Sequence, residues 1–287
     1  IRNVYYEITS FHTLMVADTH VSKGKRENTE RLRFYDNREG NLEEISTLLR
    51  AGKVPKVEYH SFYVYVPKVR KVIFIDYWSK VVQRAIYDVL NPKICRTFIE
   101  HTYACVKGRG QLAAMEQLYT WMRETRTSGT EWYYYKFDVA KFFYRIDHEI
   151  LMDICRKKID DPRTVDLLGY YINNDAVPFG MPLDANQLTI TEEQMLYDLG
   201  IPIGGGLSHM LGNMYLDPLD QFCKRVLGIK RYIRYMDDII ILDNDKERLK
   251  EYGRRMTQFL EERLHLNFNN KTALRPVRVG CEFVGYV

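Results

Sequence analysis

Apolar residues recur along this chain at two alternating spacings, three-to-four and two, which predicts helices and strands mixed in sequence rather than grouped in separate blocks. The first fifty residues read as helical, with Leu42, Ile45, Leu48 and Leu49 on one face and Gly52 as a stop signal. From Tyr59 to Ile75 aromatic and β-branched residues alternate with basic ones, interrupted by Pro67 and Lys68, and this predicts a strand pair. Helical spacing returns over Tyr77 to Leu90 through Val81, Val82, Ala85, Ile86 and Val89, with Pro92 ending it. A further helix follows Gly108 and Gly110 and runs to about Arg123.

Trp132 to Asp138 predicts a strand with Tyr133, Tyr135 and Phe137 on one face and Tyr134, Lys136 and Asp138 on the other, so that a carboxylate closes it. Helix is predicted again over His148 to Lys158, followed by a polar, irregular insertion at about 173–199. After a glycine run come a long helix from about Ser208 to Leu227, a strand, turn and strand unit over Arg231 to Leu242, and a helix over about Lys246 to Leu264. The end, Cys281 to Val287, reads as a strand. No Pro/Gly/Ser-rich linker divides the chain, so any subdivision is expected to lie within one fold.

Composition narrows the class. With 287 residues, 46% of them hydrophobic, the chain can bury one large core or two modest ones. Its net charge of +4 permits nucleic-acid binding without requiring it. The basic residues cluster early, at Lys23, Lys25, Arg26, Arg31 and Arg33 and again at Lys53, Lys56, Lys68, Arg70 and Lys71, which suits either a phosphate backbone or a solvated face. Five cysteines without a CxxC pair indicate neither a zinc site nor a disulfide framework. No apolar run approaches membrane-spanning length and no signal-peptide pattern opens the chain, so a cytoplasmic location is expected by default. The start at Ile1 and the end at Val287 within an apolar stretch point to further sequence at one or both ends.

The strongest chemical feature is Arg231-Tyr-Ile-Arg-Tyr-Met-Asp237-Asp238-Ile-Ile-Ile-Leu242. Two aspartates at a hairpin tip can be turn chemistry alone. Four apolar residues immediately afterwards indicate a buried strand, however, so the acids would stand at the edge of a covered sheet, where uncompensated carboxylates repel. A metal removes that conflict. If the strand ending at Asp138 lies beside this hairpin, the carboxylates can share two Mg²⁺ ions roughly 3.5–4 Å apart, with Asp138 and Asp237 as leading ligands and Asp238 beside them. Such ions would activate a primer 3′-hydroxyl and offset charge on a leaving pyrophosphate.

Tyr235-Met236-Asp237-Asp238 resembles the catalytic hairpin of reverse transcriptases, and Asp138-Val-Ala-Lys-Phe-Phe143-Tyr-Arg-Ile-Asp147-His148 resembles their first metal-binding motif in the form used by bacterial group II intron-like enzymes. Gly200-Ile-Pro-Ile203-Gly204-Gly-Gly-Leu-Ser208-His209 is similar to the glycine turn beneath the nascent base pair, and Lys68 to Ile75 to the fingers strands. Tyr103-Ala-Cys-Val-Lys-Gly-Arg-Gly110 is similar to the next family block, and Phe283-Val-Gly285-Tyr286 to the primer grip. Within the family the likeness is to diversity-generating retroelement enzymes, because Ile203 stands where retroviral and group II enzymes have glutamine; His209 departs from the glutamine or proline of that block.

The resemblance implies an α+β right-hand polymerase fold whose antiparallel palm sheet is backed by helices, with fingers mainly in residues 1–130, palm mainly in 131–287, and no thumb within the chain. It implies an RNA-directed DNA polymerase that uses two Mg²⁺ ions, an RNA template, a DNA or RNA primer and deoxynucleoside triphosphates, with a basic accessory protein as a further partner. Lys68, Arg70 and Lys71 would contact the triphosphate, Val139 and Gly204 would line the nucleotide, and Phe143 would exclude a ribose 2′-hydroxyl. Core packing is the other role open to Phe142 and Phe143. Lys271 would protonate pyrophosphate, or is simply a solvated loop lysine. Ile203 cannot hydrogen-bond a template or nucleotide, which would make copying error-prone; alternatively it only packs under the base pair. A group II intron maturase, a defence-type enzyme making untemplated DNA and an inactive nucleic-acid-binding relative are the rival readings.

Overall fold

In a computed structural model the described residues are 1–24, 29–64, 70–173, 175–186, 189–203 and 205–286, with the side chains of 61–64 and 70–72 outside the description. The described helices are, in chain order, α1 (Tyr5–Ile8), α2 (Phe11–Ser22), α3 (Thr29–Tyr35), α4 (Arg38–Arg50), α5 (Tyr77–Ile94), α6 (Gln111–Arg126), α7 (Phe142–Arg145), α8 (His148–Lys158), α9 (Pro162–Ile172), α10 (Gly206–Gln221) and α11 (Lys246–Leu264). The strands are β1 (Tyr59–Val64), β2 (Arg70–Ile75), β3 (Thr102–Tyr103), β4 (Tyr133–Asp138), β5 (Arg231–Tyr235), β6 (Asp238–Asp243) and β7 (Ala273–Pro276). The fold class is α+β. Two compact units alternate along the chain, one formed by Ile1–Arg96 with His148–Leu211 and the other by Thr97–Asp147 with Gly212–Val287.

The first unit is helical apart from the β1–β2 hairpin, in which Tyr59 pairs with Ile75 and Val64 with Arg70. Its helices are tied by a fully buried carboxylate: Asp18 on α2 accepts from the Tyr35 hydroxyl at 2.9 Å, the Tyr77 hydroxyl at 2.7 Å and Arg38 at 2.7 Å. A buried acid with three donors is satisfied, and it links α2, α3, α4 and α5. Helix α5 runs through Pro92 to Ile94, beyond the expected end. The proline forfeits one ladder bond, but Ile94 extends the buried row Val82, Ile86, Leu90, and the Cys95 N–H again bonds the Asn91 carbonyl. Helix α9 starts on Asp161 as N-cap with Pro162 in its first turn, and the same carboxylate accepts the N–H groups of Val4 and Tyr5 at 2.8 and 2.9 Å. The insertion at 173–199 is anchored by a reciprocal backbone pair between Gly180 and Leu196.

The second unit is built on a five-stranded sheet ordered β3-β5-β6-β4-β7. Four strands are antiparallel neighbours as expected, but β3 pairs with β5 in parallel over Thr102–Tyr103, so the sheet is mixed. The long connection holding α6 and β4 removes any need for a tight hairpin between them. Along β6, Ile239, Ile240, Ile241 and Leu242 are all buried, because both faces of this central strand are covered. One face carries Tyr134, Ile233, Ile240 and Leu242 against Ala114, Leu118, Trp121 and Met122 of α6. On the other, α11 approaches β4 closely at Gly253, where an added Cβ would meet the Tyr135 ring at 2.5 Å and the Phe137 ring at 3.3 Å.

One expectation at the C-terminal end is corrected. The described part of Cys281–Val287, residues 281–286, is not a strand: Val284 and Gly285 take φ of 49° and 82°, and Phe283 and Tyr286 exchange both backbone hydrogen bonds at 2.8 and 2.9 Å around them. Two successive left-handed residues make a two-residue hairpin turn, which strand propensity alone does not reveal. The strand that completes the sheet edge is β7, whose Arg275 and Pro276 mark a polar edge, the one position in a sheet that tolerates proline. The long helix reaches its expected end: α10 passes directly from Gln221 into a wider, π-type helical turn over Phe222–Val226, with Leu227 as its C-cap.

The Gly253 contact sets the spacing of α11 on the sheet. Gly253→Ala is expected to lower unfolding free energy by about 1–3 kcal/mol through overpacking against Tyr135, measured by urea denaturation; a variant as stable as wild type would show that the helix seats without needing this gap.

Candidate functional site

The alternation of β4 and β6 determines what meets at the end of the sheet. Asp138 pairs in register with Asp238, and Tyr235 pairs with the same residue from the other side, so the β5–β6 turn consists of Met236 and Asp237. Met236 is left-handed at φ 52°. The Val139 N–H donates to the Asp237 carbonyl at 3.3 Å, which brings the ends of two segments about a hundred residues apart in sequence into direct contact. By strand parity Lys136, Asp138 and Asp238 share the face covered by α6, at the end that α6 leaves open.

The electrostatics follow from this crowding. Burial first, and then the charges of Asp138 and Asp238, push Asp237 up to about 6. Burial also raises Asp138 and Asp238, while Lys136 lowers both and an Asn269 hydrogen bond and Lys271 lower Asp138 further. The Lys136 ammonium lies 3.7 Å from Asp238 and donates to the Glu282 carbonyl at 2.9 Å. Asn269 donates through its side-chain amide to Asp138, and its backbone N–H reaches the Asp138 carbonyl at 2.8 Å. The Lys271 N–H in turn bonds the Asn269 side-chain oxygen at 2.8 Å, so the loop carrying Lys271 is laced to the end of β4.

Three adjacent carboxylates, each destabilised in its charged form, are a donor set of the hard-oxygen kind that Mg²⁺ prefers. Among the described residues, however, no three His, Cys, Asp or Glu side chains are grouped closely enough to hold a metal as they stand. The backbone positions and residue types fit divalent cations; for the side chains to do so, Asp138 must exchange its bond from Asn269, and Asp238 its leaning towards Lys136. Asn269 and Lys136 are the site residues that sequence reasoning missed. Lys136 was visible as the same-face neighbour of Asp138, two positions before it, whereas Asn269 lies 131 positions away in sequence and carried no local signal.

Beneath the turn lies a fully buried guanidinium. Arg234 donates to Asp220 through Nε at 2.8 Å and Nη2 at 2.6 Å, and through Nη1 to the Asn213 side chain and to the Met236 carbonyl, both at 2.9 Å. Asp220 also accepts from the hydroxyls of Tyr232 at 2.5 Å and Thr102 at 2.9 Å, and Asn213 donates to the Ala104 carbonyl at 2.9 Å. This network joins α10, β3 and β5 to the carbonyl immediately before Asp237.

The remaining sequence candidates are distributed as follows. Val139 is buried, so its contribution at the turn is its N–H. Phe142 is in the core at 3% exposure and Phe143 is half-buried, with ring centroids 5.1 Å apart. Ile203, in the first unit, is 39% exposed and lines a cavity of about 340 Å³ with Lys80, Gln83, Arg84 and Tyr87. Phe283 belongs to the core cluster of the second unit, Gly285 forms the hairpin turn and Tyr286 is exposed. Lys68 and Gly204 lie outside the described residues, as do the side chains of Arg70 and Lys71. His148 and His265 are structural partners: His148 meets the Gly200 carbonyl at 2.6 Å and His265 meets Asp147 at 3.1 Å. Among the described residues no helix is long and apolar enough to cross a membrane.

A family model described as reverse transcriptase (RNA-dependent DNA polymerase) matches residues 54–287. The chain is also similar to Protein YkfC of Escherichia coli (strain K12), at 23% identity over 260 residues that cover 78% of this chain and 65% of that protein. The chain therefore spans about 65% of the length of the curated relative it matches.

Removing one partner of a buried ion pair strands the other. Arg234→Met is expected to cost about 3–5 kcal/mol of stability, and Arg234→Met with Asp220→Leu to regain much of that loss, as read from urea unfolding of the three proteins. A double variant no more stable than the single one would show that the hydrogen bonds to Asn213 and Met236, rather than the stranded acid, carry the effect.

Proposed function

The chain belongs to the reverse transcriptase family, and from that premise we propose that it extends a primer on an RNA template with deoxynucleoside triphosphates, Asp138, Asp237 and Asp238 being the acids on which the transfer depends. The observation that carries this reading is the register pairing of Asp138 with Asp238, together with the Val139 N–H on the Asp237 carbonyl. Divalent cations, Mg²⁺ by the hardness of the donors, would be held by these acids and would supply the Lewis acidity that activates a primer hydroxyl and offsets pyrophosphate charge. Asn269 and Lys136 partly offset the charge of Asp138 and Asp238. Lys271, on the loop bonded to Asp138, is the proton donor to the leaving group. Lys68, Arg70 and Lys71 bind the triphosphate, Val139 and Gly204 border the nucleotide, and Phe143 closes off space for a 2′-hydroxyl. Phe283, Gly285 and Tyr286 form the hairpin that receives the primer, with Phe283 as its anchor in the core. The first unit is the fingers and the second the palm.

Ile203 supports a narrower reading, that of a diversity-generating retroelement enzyme with low fidelity. Its exposed apolar side chain opens on a cavity lined by Lys80, Arg84 and Tyr87, residue types suited to phosphate and base. A base lying there would meet no hydrogen-bonding group at position 203, so incorrect pairing geometry would meet little penalty at that point.

Primer extension on an RNA template with deoxynucleotides and Mg²⁺ tests the activity. Asp237→Asn is expected to lower the rate on the order of 10³-fold, about 4 kcal/mol of transition-state stabilisation, and extension that continues equally without template would remove the copying reading. Sequencing the products addresses fidelity: Ile203→Gln is expected to reduce misincorporation several-fold, and identical error frequencies in the two enzymes would eliminate the retroelement-type reading of this residue.

A further inference from the structure

Gly212 lies inside α10, where glycine is a poor helix former, so its presence calls for a reason of space. A Cβ built there would stand 3.1 Å from Cε1 of Phe142 and 3.2 Å from Cε1 of Phe143, tighter than most side-chain carbon contacts, so that one of the rings would have to give. The helix backbone thus serves as a wall for both rings, whose centroids lie 5.1 Å apart with their planes tilted by 55°. The two rings are not equally free to yield. Phe142 is sealed in the core at 3% exposure, whereas Phe143 is only half-buried.

We propose that Gly212 is a positioning residue for sugar discrimination: the missing side chain sets how far the Phe143 ring projects towards the sugar of the incoming nucleotide. This rests on the reading of Phe143 as the group that excludes a 2′-hydroxyl. A methyl at 212 meets both rings, and the half-buried Phe143, rather than the core-bound Phe142, is the one that gives way, by a few tenths of an ångström. Space for the sugar shrinks, for deoxyribose slightly and for ribose more. The acids at the β5–β6 turn are not touched by this movement, so the effect belongs to nucleotide binding rather than to the chemical step.

The test is steady-state incorporation of one deoxynucleotide and its ribonucleotide counterpart by the full chain on an RNA template. Since a misplacement of about 1 Å can cost on the order of 10²-fold, Gly212→Ala is expected to raise KM for the deoxynucleotide about three- to tenfold, leave kcat within about twofold, and increase the preference over the ribonucleotide. In a Phe143→Ala background the same glycine substitution should leave the preference where Phe143→Ala alone puts it. Phe142→Leu, which gives the rings room, should restore wild-type preference to Gly212→Ala, and it provides the measurement if Gly212→Ala alone does not fold. An unchanged preference in Gly212→Ala, or an equal change with Phe143 already removed, overturns the inference. Wild type that incorporates no deoxynucleotide, or a Phe143→Ala variant with unaltered preference, marks failure of the underlying reading instead.

Discussion

The second unit is organised around a charge that could not be buried alone. A guanidinium removed from water costs several kcal/mol unless its N–H groups and its charge are met. Arg234 is met completely: a two-pronged contact with Asp220, the Asn213 side chain, and the carbonyl of Met236. Asp220 and Asn213 come from α10 and Met236 from the β5–β6 turn, and the same two α10 residues bond Thr102 and Ala104 at β3, so satisfying one side chain ties α10, β3 and the turn together. Because an ion pair of this kind adds little net stability, its consequence is placement, and what it places is the peptide directly before Asp237.

That turn carries the opposite problem. Three carboxylates stand together near the edge of a covered sheet; burial raises all three, and the charges of neighbouring aspartates raise Asp237 and Asp238 further. The fold tolerates them through modest compensation, from Lys136, Lys271, Asn269 and the buried Arg234. Cations held by these acids, as proposed above, would offset the cost of holding charge in this arrangement. The sheet permits it because α6 covers one face only part of the way: apolar residues fill the covered end and acids the open end of the same face.

Local rules made most elements of this fold legible. Helices α8 and α11 fall where apolar periodicity and capping residues put them, and the β5–β6 hairpin follows from two β-capable runs around adjacent acids. The failures have local causes too. Pro92 was overruled because Ile94 is buried beyond it, and the final hairpin was mistaken for a strand because Val284 adopts a left-handed conformation that its side chain disfavours. Strand β7 is short, charged and at an edge, and has no hydrophobic pattern to be read.

The candidate site divides along the same line. The sequence by itself determined the family, through ordered motifs whose residue types are required by the chemistry, and it determined that Asp138 ends a strand while Asp237 occupies a turn. Only the tertiary structure decided that β4 lies beside β6 in the register that opposes Asp138 to Asp238, that Asn269 and Lys136 attend these acids, and that Gly212 backs the Phe142 and Phe143 rings. The physical reason is range. Periodicity, capping and turn chemistry act over a few residues and are written into neighbouring positions, whereas strand register and side-chain contact between distant segments are settled by how the whole core packs.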